Sequence, residues 1–256
     1  MKEPRISIIT ITYNSEKTVR ETFESVRNQN FKNIEYIVID GGSADSTLKI
    51  AEEYKDIITR IVSEPDEGIS DAMNKGIGIA AGDLIGIIHS DDALAEGALE
   101  KLAQAWDGET DVYYGDAVIT DKEGNPTHIL CAKKDLSGLQ YGFCLVHPAA
   151  FVTKKAYEKY GVFNKKFKCA MDYELFLRFY KAGAHFKYIH ENFAFFRSGG
   201  TNQKYRRRTV DEVCEISVIY GGSKIKAYAI KIKKMVLDKI RPYVGKVFHN
   251  KRVQKL

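Results

Sequence analysis

The sequence predicts an α/β fold: a mixed, mostly parallel central sheet flanked by helices, followed by a basic helical tail. Three observations carry this expectation. Four β-branched apolar runs, at 5–12, 34–40, 57–62 and 83–89, alternate with segments of helical periodicity at short spacing, the rhythm of parallel strands joined by right-handed crossovers. The runs are nearly continuous in apolar residues, as strands covered on both faces must be. Most of them end in polar or glycine-rich turns: Tyr13-Asn14-Ser15, Gly41-Gly42-Ser43 and Ser90-Asp91-Asp92.

In chain order, Ser15 is expected to cap a helix over 16–29 that aligns Val19, Phe23 and Val26 on one face. Helices follow at 45–54, 69–81 and 95–106, interleaved with the strands. The rhythm then changes. Residues 111–120 and 126–131, separated by Asp121-Lys122-Glu123-Gly124-Asn125, read as a hairpin. A segment at 143–152 carries His147-Pro148 and leads to a short helix over 154–160, and 172–182 is a helix with Leu175, Phe176 and Phe179 on a buried stripe. Two strands at 186–189 and 193–196, a loop at 198–201 and a helix at 210–220 complete the body, and Gly221-Gly222-Ser223 reads as a linker.

A chain of 256 residues holds a substantial core. No stretch approaches the roughly 18 apolar residues of a membrane span, and the N-terminus enters a strand pattern at once, without the shape of a signal peptide. Cys131, Cys144, Cys169 and Cys214 are widely spaced and form no CxxC pair, which fits a reducing cytosol better than a zinc site or a disulfide framework. Residues 224–256 carry 11 Lys/Arg against the single acid Asp238, so the first 223 residues hold −5 within the total of +5. Ile225, Ala229, Ile232, Val236 and Ile240 recur at helical spacing among those lysines, giving a basic amphipathic helix suited to an anionic partner.

The adjacent carboxylates Asp91 and Asp92 at the carboxyl end of the fourth run are the strongest chemical signal. They repel, and both cannot be buried while ionised without a cation or donors. Open α/β sheets bind ligands beyond the carboxyl ends of their strands, so a metal or ligand site is expected here; a cap for a helix starting near Ala93 is the alternative. Gly76-Ile77-Gly78-Ile79-Ala80-Ala81 matches GxGxxA, but it lies late in a helix and precedes a strand, the wrong context for a dinucleotide site. Close packing of the helix explains the glycines better.

Taken together, ITITYN, VIDGGSADST, EPDEGISDAMNKGI, GDLIGIIHSDD, HPAAF, GVFNKKFKCAMDYELFLR and FRSGGTNQ resemble the inverting family 2 glycosyltransferases of the GT-A (Rossmann-like) fold, in particular their bacterial polysaccharide-assembly branch. The resemblance runs from about Pro4 to Gln203. It implies a glycosyltransferase domain over 1–220, with a nucleotide-sugar half at about 1–110 and an acceptor half at about 111–203, ahead of the tail at 221–256. It also implies transfer from a nucleotide-diphosphate donor, a UDP-sugar being favoured, with Mn2+ or Mg2+ as cofactor. The acceptor would be a saccharide or a polyprenyl-linked saccharide.

Carried over residue by residue, the resemblance puts Thr12 and Tyr13 at the base pocket and has Asp40 accept a hydrogen bond from a pyrimidine. Asp71 and Lys75 would face the nucleotide, although their i,i+4 spacing also suits an ordinary ion pair. Asp91 resembles the ribose contact and Asp92 the metal ligand. Asp172 is the implied general base, on a helix start whose dipole favours the ionised form. The family's usual Glu-Asp pair is Met171-Asp172 here, and Glu174 is the competing base. Arg197 would pair with the diphosphate, His147 would lie on the acceptor side, and His190 is a weaker metal candidate. The tail suits an anionic membrane surface, and hence a cytoplasmic, peripheral location on the inner face of the cell membrane, or else a second copy of the chain. The rival from another class is a non-catalytic or nucleic-acid-binding protein acting through the tail; no specific nucleic-acid site is expected.

Overall fold

The structure is a computed structural model, and it describes residues 2–199, 205–244 and 253–254. Gly200 and Thr201 of the expected loop, and residues 245–252 of the tail, lie outside the described residues. The chain alternates as anticipated: β1 (Ile6–Thr12), α1 (Val19–Arg27), β2 (Ile34–Asp40), α2 (Thr47–Glu52), β3 (Arg60–Ser63), α3 (Ile69–Ile79) and β4 (Leu84–Ile87). After β5 (Ala93–Leu94) and α4 (Ala98–Ala105) come β6 (Val112–Thr120), β7 (Pro126–Leu130), β8 (Ala150–Thr153), α5 (Lys154–Tyr160), α6 (Met171–Lys181), β9 (Phe186–Arg197), α7 (Arg206–Ile219), α8 (Lys224–Val244) and β10 (Val253–Gln254).

One mixed sheet runs β10-β7-β6-β8-β4-β1-β2-β3, with β9 beside β6 and β5 beside β9. β3, β2, β1 and β4 are mutually parallel, and β9 runs parallel to β6. β7, β8, β10 and β5 pair antiparallel. Successive strand residues feed opposite cores, as the pleat requires. Ile8 and Val38 pack with Val19, Phe23 and Val26 of α1 and Leu99 of α4. Ile9, Ile37 and Ile39 pack with Met73 and Ile77 of α3 and the α6 stripe of Leu175, Phe176 and Phe179. Gly76 is where α3 presses on β1: a Cβ there would lie 2.6 Å from Ile9 Cγ2. The glycine reading is therefore supported at Gly76, whereas Gly78 faces open space.

Several local expectations are corrected. α1 begins at Val19, and Ser15 contributes its carbonyl to the N–H groups of Thr18 and Val19 rather than a side-chain cap. No helix starts near Ala93. Ala93–Leu94 pairs antiparallel with β9, and α4 opens only after left-handed Gly97 (φ 67°). Asp91 and Asp92 are therefore not helix caps. The third strand is shifted to Arg60–Ser63. The two strands expected near the end of the body are one, β9, because a bulge opposite Asp116 lets the pairing continue past Asn192.

Candidate active site

The carboxyl ends of β1, β2 and β3 are level, with Thr12 beside Asp40 and Asp40 beside Ser63, while β4 ends earlier, with Ile87 beside Ile9. The loops leaving these ends converge. Tyr13, 65% exposed, offers a bare ring above the β1 end. Asp40, with no exposed surface, receives five donors: Thr12 Oγ1 (2.9 Å), Gly42 N (3.0 Å), Ser43 N (2.9 Å), Ser43 Oγ (2.5 Å) and Ser63 Oγ (2.7 Å). Burial alone would raise its pKa, but the Ser43, Ser63 and Thr12 bonds outweigh burial and hold it below the usual carboxylate range. A carboxylate has about four acceptor sites. Asp40 thus folds the Gly41–Ser43 loop, and its five donors leave little acceptor capacity for the expected pyrimidine contact. Asp66 brings a second carboxylate to the same loop. Its Oδ2 fills the space beside Gly41, where a Cβ would come within 2.5 Å of it and 3.4 Å of Tyr13 Cδ2.

The end of β4 is built differently. Asp92 N donates to the carbonyl of His89 (3.0 Å), a turn that brings His89, Asp91 and Asp92 to one point. One potential ligand atom from each lies within 4.8 Å of the others, the only such group found among the described residues. Thr22 of α1 donates to the Asp92 carbonyl (2.6 Å), and Ser15 Oγ meets Ser90 Oγ (2.7 Å). Asp92 is 3% exposed. Its Oδ1 accepts the Arg197 N–H (3.0 Å), while Oδ2 is buried without a partner, as is His89 Nε2. Burial first, and the Asp91 charge second, push the Asp92 carboxyl well above its usual range against the opposing Arg197 N–H. Burial likewise lowers His89, with Asp91 pulling the other way. Two orphaned atoms beside an acid form a donor set suited to a divalent cation.

Arg197 supports this turn from behind. Its Nε donates to the Asp91 carbonyl (3.1 Å), Nη1 to the Lys122 carbonyl (2.8 Å), and Nη2 pairs with Glu21. The guanidinium is thus engaged within the protein. Asp71 and Lys75 do form the i,i+4 pair (3.7 Å), but each has a stronger partner: Glu64 for Lys75 (2.8 Å) and Lys165 for Asp71 (3.2 Å).

The candidate base sits on α6. Asp172 is not its N-cap; Ala170 is. Glu212 of α7 takes the backbone N–H groups of Lys168, Cys169 and Ala170 at 3.2, 2.8 and 2.9 Å, fixing the helix start. Asp172 Oδ1 accepts the Tyr173 N–H (2.9 Å). Burial nevertheless outweighs the helix start and lifts its pKa to about 6, reversing the sequence expectation that the ionised form is favoured. Glu174 is fully buried against Arg178 (3.0 Å) and Tyr220, a strut rather than a base.

A chain of ring contacts runs from the β4 turn to α6. His89 meets His147 edge-on (5.7 Å), and His147 packs on Phe163 (5.6 Å) and Phe176 (6.2 Å), the latter one turn beyond Asp172. Asn74 of α3 clamps the Phe163 backbone in both directions (2.9 Å each). His147 is thus a packed residue, its pKa pressed down to about 3 by burial and by His89. His190 lies exposed on β9 near Tyr188 (3.5 Å) and outside the His89–Asp91–Asp92 group. Sequence reasoning missed His89, Asn74 and Glu212. Only His89 left a signal, two residues ahead of the acid pair.

Residues 7–171 match the family model described as Glycosyl transferase family 2. The chain belongs to that family. An uncharacterized glycosyltransferase of Mycobacterium tuberculosis is 33% identical over 187 residues, covering 68% of both chains. The putative glycosyltransferase EpsH of Bacillus subtilis is 37% identical over 114 residues, or 44% of this chain and 33% of that protein. The chain thus matches only about a third of the Bacillus relative's length. Among solved structures, S. aureus TarS 1-349 in complex with UDP-GlcNAc superposes with a TM-score of 0.66 at 18% identity, covering 95% of this chain and 76% of that one. The mannosyltransferase PcManGT from Pyrobaculum calidifontis, in complex with GDP-Man and Mn2+, gives 0.67 at 16%, covering 96% and 77%. At such identities the likeness speaks for the fold, the mixed α/β architecture expected of this glycosyltransferase domain.

Proposed function

We propose that this family 2 domain transfers a sugar, with inversion, from a nucleotide-diphosphate donor to a saccharide or lipid-linked saccharide acceptor. The observation that carries the reading is the orphaned Asp92 Oδ2, buried at the carboxyl end of a parallel strand beside Asp91 and His89. Neighbours of this fold bind UDP-GlcNAc, or GDP-Man with Mn2+, which supports a nucleotide-sugar donor; a UDP-sugar is favoured here. The base lies against the exposed Tyr13 ring near Thr12, and Asp66 accepts a ring N–H in place of Asp40. Asp91 takes the ribose hydroxyls. Lys75 and Asp71 border the same loop.

Asp92 would hold Mn2+ or Mg2+, which would supply positive charge against the departing diphosphate. Asp172, poised by burial with a pKa of about 6, accepts the proton of the acceptor hydroxyl as that oxygen attacks the anomeric carbon from the face opposite the diphosphate. Arg197 keeps the Asp91–Asp92 turn in place from behind.

The acceptor side of the reading draws on α8. No helix among the described residues is long and apolar enough to cross a membrane. Yet Ile225 (84% exposed), Ile232 (60%), Val236 and Ile240 face outward among lysines, while Ala227 faces the body. An uncovered apolar stripe flanked by cations fits the interface of an anionic membrane, where a polyprenyl-linked acceptor is presented at the cytoplasmic face.

The test is a panel of UDP-, GDP- and dTDP-sugars incubated with Mn2+ and lipid-linked acceptors, with the product's anomeric configuration read by NMR. An inverted product from one donor class is expected. Absence of transfer from every donor, or retention of configuration, overturns the reading.

A further inference from the structure

We propose that His89 is a nitrogen ligand of the same cation, making a mixed imidazole–carboxylate site that selects Mn2+ over Mg2+. The inference rests on the metal-dependent reading above and adds a ligand and a selectivity to it. Two independent observations point to His89. A ligand atom of its ring falls within 4.8 Å of those of Asp91 and Asp92, and its Nε2 is buried with no hydrogen-bond partner, matching the orphaned Oδ2 of Asp92. Buried polar atoms in folded proteins are almost always paired. Unpaired buried atoms on two residues whose ligand atoms converge mark a position that a ligand completes.

The ring is also held. His147 meets it edge-on at 5.7 Å, and His147 is itself braced by Phe163 and Phe176. The Asp92 N–H to His89 carbonyl bond (3.0 Å) and the Thr22 hydroxyl (2.6 Å to the Asp92 carbonyl) fix the backbone between the two residues. Braced in this way, the imidazole needs little rearrangement to bind.

Selectivity follows from the donor set. Mg2+ takes hard oxygen ligands in a strict octahedron and gives up water reluctantly. Imidazole suits first-row transition ions, so replacing one oxygen by nitrogen moves the preference toward Mn2+. Phosphate oxygens and water would complete either shell.

The experiment titrates Mn2+ and Mg2+ into wild type, His89→Ala, His89→Gln and Asp92→Asn proteins with UDP present, and records electron spin-echo modulation of the Mn2+ complex. Wild type is expected to show imidazole 14N modulation and at least a tenfold preference for Mn2+. Both His89 variants should lose the modulation and bring Mn2+ and Mg2+ within about threefold of each other, with Mg2+ binding little changed. Asp92→Asn should weaken both ions. Unfolding midpoints of the variants, measured alongside, separate loss of a ligand from loss of fold. Mn2+ binding without 14N modulation in wild type, or modulation that survives in both His89 variants, overturns the proposal while leaving the metal-dependent reading intact. Binding of neither ion by wild type overturns both.

Discussion

Two buried aspartates end neighbouring regions of the sheet and could hardly be treated more differently. Asp40, closing β2, takes five donors and has no oxygen to spare. Asp92, just past β4, has one backbone donor on Oδ1 and none on Oδ2. The first carboxylate is held below its usual pKa and the second well above it. A saturated carboxylate is part of the framework; one left half-paired waits for something outside the chain. Burial alone does not separate the two, and partner counting does.

The comparison is broken most forcefully at Asp92. Asp92→Asn should reduce sugar transfer by about 10³-fold or more, roughly 4 kcal/mol of transition-state stabilisation, while the unfolding midpoint in urea at pH 7 does not fall, because a carboxyl raised by burial costs stability when ionised. Asp172→Asn should cost about 10²–10⁴-fold in kcat, and the wild-type kcat should fall as pH drops below about 6. Retention of transfer by Asp172→Asn would reassign the base.

Next in size is the opposite behaviour of Asp40. Asp40→Asn should lose about 2–4 kcal/mol of stability through broken buried hydrogen bonds. A depressed carboxylate stabilises only while the unfolded chain would also be ionised. The gap from wild type is therefore full above the unfolded range of about 4 and closes as pH falls through the folded value. Urea titrations at pH 7 and pH 3 check this, and an equal loss at both would contradict it.

Asp172 sharpens the contrast with the other sign. Its pKa is raised, so its ionisation costs stability above about 6 and nothing below about 4. Asp172→Asn should be more stable than wild type by about 3 kcal/mol at pH 8, the difference vanishing toward pH 4. The smallest effect belongs to α8. Ile232→Ser should weaken binding to anionic vesicles by about tenfold or less, about 1 kcal/mol for one apolar side chain, without altering the rate on a soluble acceptor.

The alternation of strands and helices, the loops at the strand ends and the Asp91–Asp92 pair were legible because they are local patterns. What escaped is long-range. Glu212 fixes the start of α6 from 42 residues away, and Asn74 grips Phe163 across 89; neither contact leaves a trace in neighbouring residues. β5, two residues long, is too short for periodicity to register. For Asp172 and Asp40 the residues were found but their surroundings were not. Burial reversed the helix-dipole expectation at the first, and convergence of Ser43, Ser63 and Thr12 saturated the second.

The most direct test of the account is a thermal-shift comparison of wild type and Asp92→Asn with UDP, in Mn2+ and in EDTA. Ligand at about 100 times its Kd adds about 2.7 kcal/mol, a rise of several degrees in a chain of this size. Wild type should show that rise only when Mn2+ is present, and Asp92→Asn should show none of the metal-dependent part. An equal, Mn2+-dependent rise in both proteins would place the cation elsewhere and contradict the account.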